Sequence, residues 1–162
     1  MTMDARIDLL LQVLDQAYDR RAWHGTNLRG SIRGLTLKEA LWRPDTDRHN
    51  IWEIVLHAAY WKFCVRRHVT GNRELKFPRQ GSNWFDLPEP GLAAQYKLDV
   101  GLLGHEHRAL RQAVADLPAT RLKKTPPGLR WRYEQYIYGI ASHDLYHAGQ
   151  IQILKRLMRR SG

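Results

Sequence analysis

Two histidines four positions apart, His143 and His147, lie in an otherwise apolar segment near the C-terminus. On a helix, residues at i and i+4 have Cβ atoms about 5–6 Å apart, so two imidazoles can reach one cation at about 2.0–2.1 Å per Zn–N bond. Both fall on one apolar stripe of 3.6-residue period and are predicted to face the core. The other members of the stripe are Tyr136, Ile140, Ile151 and Leu154. Burying imidazoles without partners is costly, which leaves two interpretations, a bound metal or hydrogen-bonded core histidines.

A third histidine, His57, lies on the apolar face of an earlier predicted helix, together with Ile54, Trp61 and Val65. Helical bundles build metal sites from inward side chains on facing helices. Three histidines with an open fourth position are typical of a catalytic zinc site. His57, His143 and His147 therefore form a candidate triad for one divalent metal, although the residue spacing does not show that the two helices bring them together. The alternative for His57 is a core imidazole bonded to a carbonyl or hydroxyl group.

The elements that must position these residues are all helical. Apolar periodicity and capping signals predict helices over about 3–22, 37–43, 51–70, 92–117 and 133–158. Segments 24–31 and 72–91 are predicted to be loops, and no strand pattern of useful length occurs. The sequence thus predicts an all-α fold, a four-helix bundle with a short extra helix, as a single domain over residues 1–162.

Composition excludes several classes of site. Cys64 is the only cysteine among 162 residues, so an intrachain disulfide and a cysteine-based zinc site are excluded. Its default interpretation is an inert packed thiol. No apolar run approaches the roughly 18 residues of a membrane span, and the N-terminus lacks the order of a signal peptide. We expect a cytoplasmic protein.

The chain is strongly basic, with 26 Lys and Arg against 16 Asp and Glu, a net charge of +10. Nucleic-acid binding by a basic bundle is one interpretation of this surplus. The basic residues are scattered, however, and no helix-turn-helix or RNA-binding signature is present. Attraction of an anionic small-molecule substrate explains the charge equally well.

Three segments together resemble the DinB/YfiT-like superfamily of metal-dependent four-helix bundles. They are Leu41-Trp42-Arg43-Pro44, the stretch from Asn50 to Trp61 that contains His57, and His143-Asp144-Leu145-Tyr146-His147-Ala148-Gly149-Gln150-Ile151. The resemblance implies that the second and fourth long helices supply three metal-binding histidines. Carried over by position, these are His57, His143 and His147.

The resemblance also implies a class of reaction. Characterised members include S-transferases and isomerases that use low-molecular-weight thiols such as bacillithiol or mycothiol, and homodimers are expected. We expect a divalent metal (Zn, Ni or Fe) that activates water or such a thiol, as in a hydrolase or a thiol transferase. Tyr60, Tyr138 and Tyr146 are candidate proton partners. The alternatives are a nucleic-acid-binding bundle and a non-catalytic metal-binding scaffold.

Two other residues have competing interpretations. Asp144 makes the segment from His143 to His147 similar to the H-E-x-x-H motif of zinc proteases, but aspartate is shorter than the glutamate that serves there as general base. Asp144 either orients a neighbouring group or faces solvent, and we expect it to face solvent. His107, on the stripe of the third long helix, has three interpretations: a fourth ligand, a group that supports a ligand without touching the metal, or a hydrogen-bonded core histidine. The last is favoured.

Overall fold

The computed structural model describes residues 3–89 and 92–161. Within them the chain forms six α-helices: α1 (Ala5–Tyr18), α2 (Leu28–Ile32), α3 (Leu37–Leu41), α4 (Ile51–Thr70), α5 (Ala93–Ala115) and α6 (Tyr133–Ser161). A 3-10 turn at Ala119–Arg121 precedes α6, and the described residues contain no β-strand, only an isolated bridge between Ser82 and Trp84. The predicted all-α fold is confirmed.

The four long helices α1, α4, α5 and α6 form the bundle. Helix α4 packs against α5 and α6, and α1 packs against the same two helices. The short helices α2 and α3 pack on α6 and α4 respectively. No helix among the described residues has the length and apolar character needed to cross a membrane.

Local capping residues define both ends of α4, the helix that carries His57. Asn50 caps its first turn in a capping box with Glu53, and Gly71 ends it in the left-handed conformation at φ 71°. Arg43 then binds Glu53 through two nitrogen–oxygen contacts of 2.7 Å. This pair ties the segment before α4 to the start of the helix.

The largest differences between the sequence-based boundaries and the structure occur at α1 and α2. Helix α1 ends at Tyr18 instead of continuing to about residue 22, because the backbone N–H groups of Asp19 and Arg20 both turn back to the carbonyl of Asp15. The predicted loop over 24–31 contains the start of α2, which is capped by the side chain of Asn27. A five-residue helix is too short to show helical periodicity.

Candidate metal centre

The three predicted histidines lie together between α4 and α6. The Nε2 atom of His143 is 3.1 Å from the Nε2 atom of His57 and 3.1 Å from that of His147. All three ligand atoms lie within 4.8 Å of one another. Two nitrogens that bind one ion at 2.0–2.1 Å in a tetrahedral arrangement are about 3.3 Å apart, and the two 3.1 Å separations at His143 are close to this value.

Hydrogen bonds orient two of the three rings. His57 places Nδ1 2.9 Å from the backbone carbonyl of Asn83, and His147 places Nδ1 2.7 Å from Oε1 of Gln150. Because both partners are acceptors, each Nδ1 carries the hydrogen and each Nε2 presents a lone pair. A single N–H on His143 satisfies only one of these lone pairs, whereas a cation satisfies all three nitrogens.

The positions of both acceptors depend on local backbone structure. Asn83 has φ 61°, in the left-handed region that asparagine enters more readily than most residues, and this turn directs its carbonyl at His57. Its side chain also accepts a hydrogen bond from the Trp61 indole at 3.0 Å. Gln150 lies one helical turn beyond His147 and donates to the Tyr146 hydroxyl at 3.0 Å. The acceptor from the 72–91 segment is a backbone atom, which no sequence motif marks.

Burial keeps the three imidazoles neutral at physiological pH. It lowers the pKa of His57 to about 4 and that of His143 to about 3, and the pKa of His147 is also lowered. Neutral imidazole is the form that binds a metal. The Nδ1 of His143 is buried and has no hydrogen-bond partner among the described residues, which leaves this ring the least constrained of the three.

All three histidines open into one cleft of ≈ 790 Å³. The Trp84 ring stacks between the His57 ring at 3.9 Å and the His49 ring at 3.6 Å, which closes one side of the cleft. The remaining walls are apolar residues of α4 and α6 and polar residues of the segment before α4. They include Ile54, Ile153, Leu154, Leu157, Asp45, Asp47 and Arg48. The volume is in the range of sites for small molecules.

A smaller cavity of ≈ 430 Å³ meets the same site from another direction, and His143 is the only described residue that lines both. The three candidate tyrosines lie in different places relative to these two cavities. Tyr146 lines the larger cleft and Tyr138 the smaller cavity, whereas Tyr60 lines neither. The Tyr60 ring packs against Phe77 and Phe85 at centroid distances of 5.4 Å.

The expectation that Asp144 faces solvent is wrong. Asp144 is fully buried and forms an ion pair with Lys62, whose side chain is also fully buried. Lys62 comes from α4 and Asp144 directly follows His143 on α6, so the pair joins the two helices that carry the histidines. Charged residues are seldom fully buried unless paired, and their sequence positions do not reveal the pairing.

His107 is a core histidine and lies outside the three-histidine cluster. Its ring stacks on Tyr18 with centroids 3.9 Å apart, and its Nδ1 is 3.4 Å from the Lys62 ammonium nitrogen. Its Nε2 is 3.7 Å from a carboxylate oxygen of Asp15. Burial lowers the pKa of His107 to about 2, so the ring is neutral.

Comparison with known proteins gives one result. The sequence model of the DinB superfamily matches residues 4–151, which covers the described bundle from α1 through both histidines of α6. Comparisons with curated proteins and with solved structures gave no match. With the helical fold and a match over most of its length, the chain belongs to the DinB superfamily.

Proposed function

We propose that this protein is a metal-dependent enzyme in which His57, His143 and His147 hold one divalent ion. The observation that carries the proposal is the convergence of three Nε2 atoms, two of which have their lone pairs directed inward by Nδ1 hydrogen bonds. Such bonds to a carbonyl or amide oxygen are the usual second layer around metal-binding histidines. An ion held there supplies Lewis-acid activation of a nucleophile, either water or a low-molecular-weight thiol.

The larger cleft is the proposed substrate site. Its rim holds Asp45 and Asp47 against Arg48, and the walls beside the histidines are apolar. The apolar walls suit the apolar part of a small electrophile, and a bound divalent ion would add positive charge at the inner end of the cleft. Tyr146 is the proposed proton partner because it lines this cleft and its hydroxyl accepts a hydrogen bond from Gln150, which also bonds to His147.

Metal analysis tests the first part of the proposal. Untagged protein prepared without chelator is expected to hold about one divalent ion per chain. The substitutions His57→Ala, His143→Ala and His147→Ala are each expected to remove most of the metal while helical content remains. His105→Ala is the matched control, because His105 is an exposed histidine of α5. Loss of the fold with unchanged metal content, or full occupancy in all three variants, would contradict the assignment.

Activity assays test the second part. Metal-loaded protein is expected to accelerate either the reaction of a small thiol with an epoxide or activated halide, or the hydrolysis of an activated ester. The His143→Ala variant should lose the rate increase, whereas His105→Ala should keep it. If the metal binds and no thiol, electrophile or ester reacts faster, the non-catalytic binding role is favoured instead.

A further inference from the structure

A third cleft, of ≈ 840 Å³, lies between the end of α1, the segment after α2 and the first half of α5. None of the described residues that line it also lines either of the two cavities that meet at His143. Buried Tyr18 and His107 lie at its inner surface, and Ile32, Leu35 and Val100 give it an apolar side. The volume is within the range of about 300–1,000 Å³ that small-molecule sites have.

The charge of this cleft is strongly positive. Four cationic side chains line it, namely Arg29, Arg33, Lys97 and Arg108, against one acidic residue, Asp19. Arg29 is 3.3 Å from Asp19 and is thereby paired. Among the described residues, the other three cations have no carboxylate within ion-pair distance. Part of the basic surplus of the chain is thus concentrated in one concave site.

Two tyrosine hydroxyl groups add hydrogen-bond donors. Tyr18 and Tyr96 are 4% and 7% exposed, both line the cleft, and neither hydroxyl bonds to another described residue. Burial raises the pKa of each phenol to about 12, so both keep their protons. Both hydroxyl groups can therefore donate to a ligand in the cleft.

Gly104 keeps open the space between two of these groups. A Cβ atom at this position would lie 3.4 Å from both the Arg108 Nη1 and the Tyr18 hydroxyl. Any side chain longer than a methyl group would therefore fill the region where the guanidinium and the phenol converge. Glycine lowers helix stability by about 1 kcal/mol relative to alanine. At this position of α5, the glycine leaves the cleft open at that cost to the helix.

We propose that this cleft binds a small organic phosphate whose apolar part packs on Ile32, Leu35 and Val100. Unpaired guanidinium groups and neutral O–H donors both match phosphate oxygens, and guanidinium binds them in a two-pronged geometry. The concave shape and apolar side favour a molecule of nucleotide size over the extended backbone of a nucleic acid. The site is distinct from the proposed metal centre and does not depend on it.

Calorimetric titration of metal-free protein with ADP and with inorganic pyrophosphate tests the proposal. ADP is expected to bind with a Kd of micromolar order, and pyrophosphate more weakly because it lacks the apolar part. Arg33→Gln and Arg108→Gln should each weaken ADP binding about tenfold, and Tyr18→Phe severalfold. Gly104→Leu should abolish binding, and circular dichroism of the variant should show that its helical content is retained.

The controls separate this site from the rest of the surface and from the metal centre. Arg160→Gln, at an exposed arginine of α6, and His143→Ala should both leave ADP affinity unchanged. The proposal is overturned if wild-type protein binds neither probe at millimolar concentration, or if His143→Ala removes binding. It is equally overturned if a DNA duplex binds more tightly than ADP and Arg160→Gln weakens both ligands as much as Arg108→Gln does.

Discussion

The Gln150 side-chain oxygen lies 2.7 Å from the Nδ1 of His147, one helical turn further along α6. This contact sets the tautomer of His147 and so decides which nitrogen faces His143. Partners of this kind contribute to metal affinity without touching the ion. The relationship follows from the i+3 spacing of the two residues and needs no distant part of the chain.

Replacing Gln150 should therefore weaken metal binding while the three histidines remain. Gln150→Ala is expected to lower metal affinity by about 10–100-fold, because the imidazole loses its orienting acceptor. Gln150→Glu keeps an acceptor oxygen and should bind metal at least as tightly as the wild type. Metal-competition titrations with a chromogenic chelator measure both. Gln152→Ala, on the same helix, serves as the control, and an equal loss there would contradict the positioning role.

The stability of the metal-free protein should fall in acid because of its buried histidines. The pKa of His107 is about 2 in the folded state, against an unperturbed value of about 6.5 when unfolded. Between these values the unfolded chain binds one more proton, so this group alone lowers the free energy of unfolding by about 1.4 kcal/mol per pH unit. Above pH of about 6.5 the ring is neutral in both the folded and the unfolded state, so the full stability is present there. The stability is lost progressively as pH falls toward about 2.

Urea denaturation at several pH values measures this slope. His107→Gln removes the titrating group and should flatten the decline between pH of about 6 and 4 by about 1.4 kcal/mol per pH unit. His105→Gln, at an exposed site on the same helix, should leave the slope unchanged. If the wild type and His107→Gln gave parallel curves, His107 would have to be accessible to protons in the folded state.

The bundle and the histidine cluster could be predicted from sequence because both depend on short-range spacing. The Asn50 and Thr36 capping boxes mark two helix starts, and the structure has both. The i, i+4 spacing of His143 and His147 sets their common face. The placement of His57 beside them needed the packing of α4 on α6, which the family resemblance supplied.

What could not be predicted depends on contacts between distant segments. The carbonyl of Asn83 reaches His57 only because an irregular turn brings it there, and a backbone atom has no signature in the sequence. Lys62 and Asp144 are 82 positions apart, and each alone has the character of a solvent-exposed residue. The charged cleft of Arg33 and Arg108 likewise combines residues from separate elements.

The buried Lys62–Asp144 pair should respond very differently to single and double substitution. Lys62→Met leaves the carboxylate buried without its partner and is expected to cost about 3–5 kcal/mol of stability. Lys62→Met combined with Asp144→Leu removes both charges and should recover most of that loss. Urea denaturation of the single and double variants at neutral pH tests this expectation. Additive losses in the double variant would mean that the two side chains do not stabilise each other.

The nucleophile of the proposed reaction should not be Cys64. The thiol is half-buried, burial raises its pKa, and it lines neither cavity at the histidine cluster. A protonated thiol at this position is a poor nucleophile. In the thiol-conjugation assay, Cys64→Ser should therefore retain nearly the full rate of the metal-loaded protein, whereas His143→Ala should lose it. Loss of activity in Cys64→Ser with its metal content unchanged would instead identify a nucleophile carried by the protein itself.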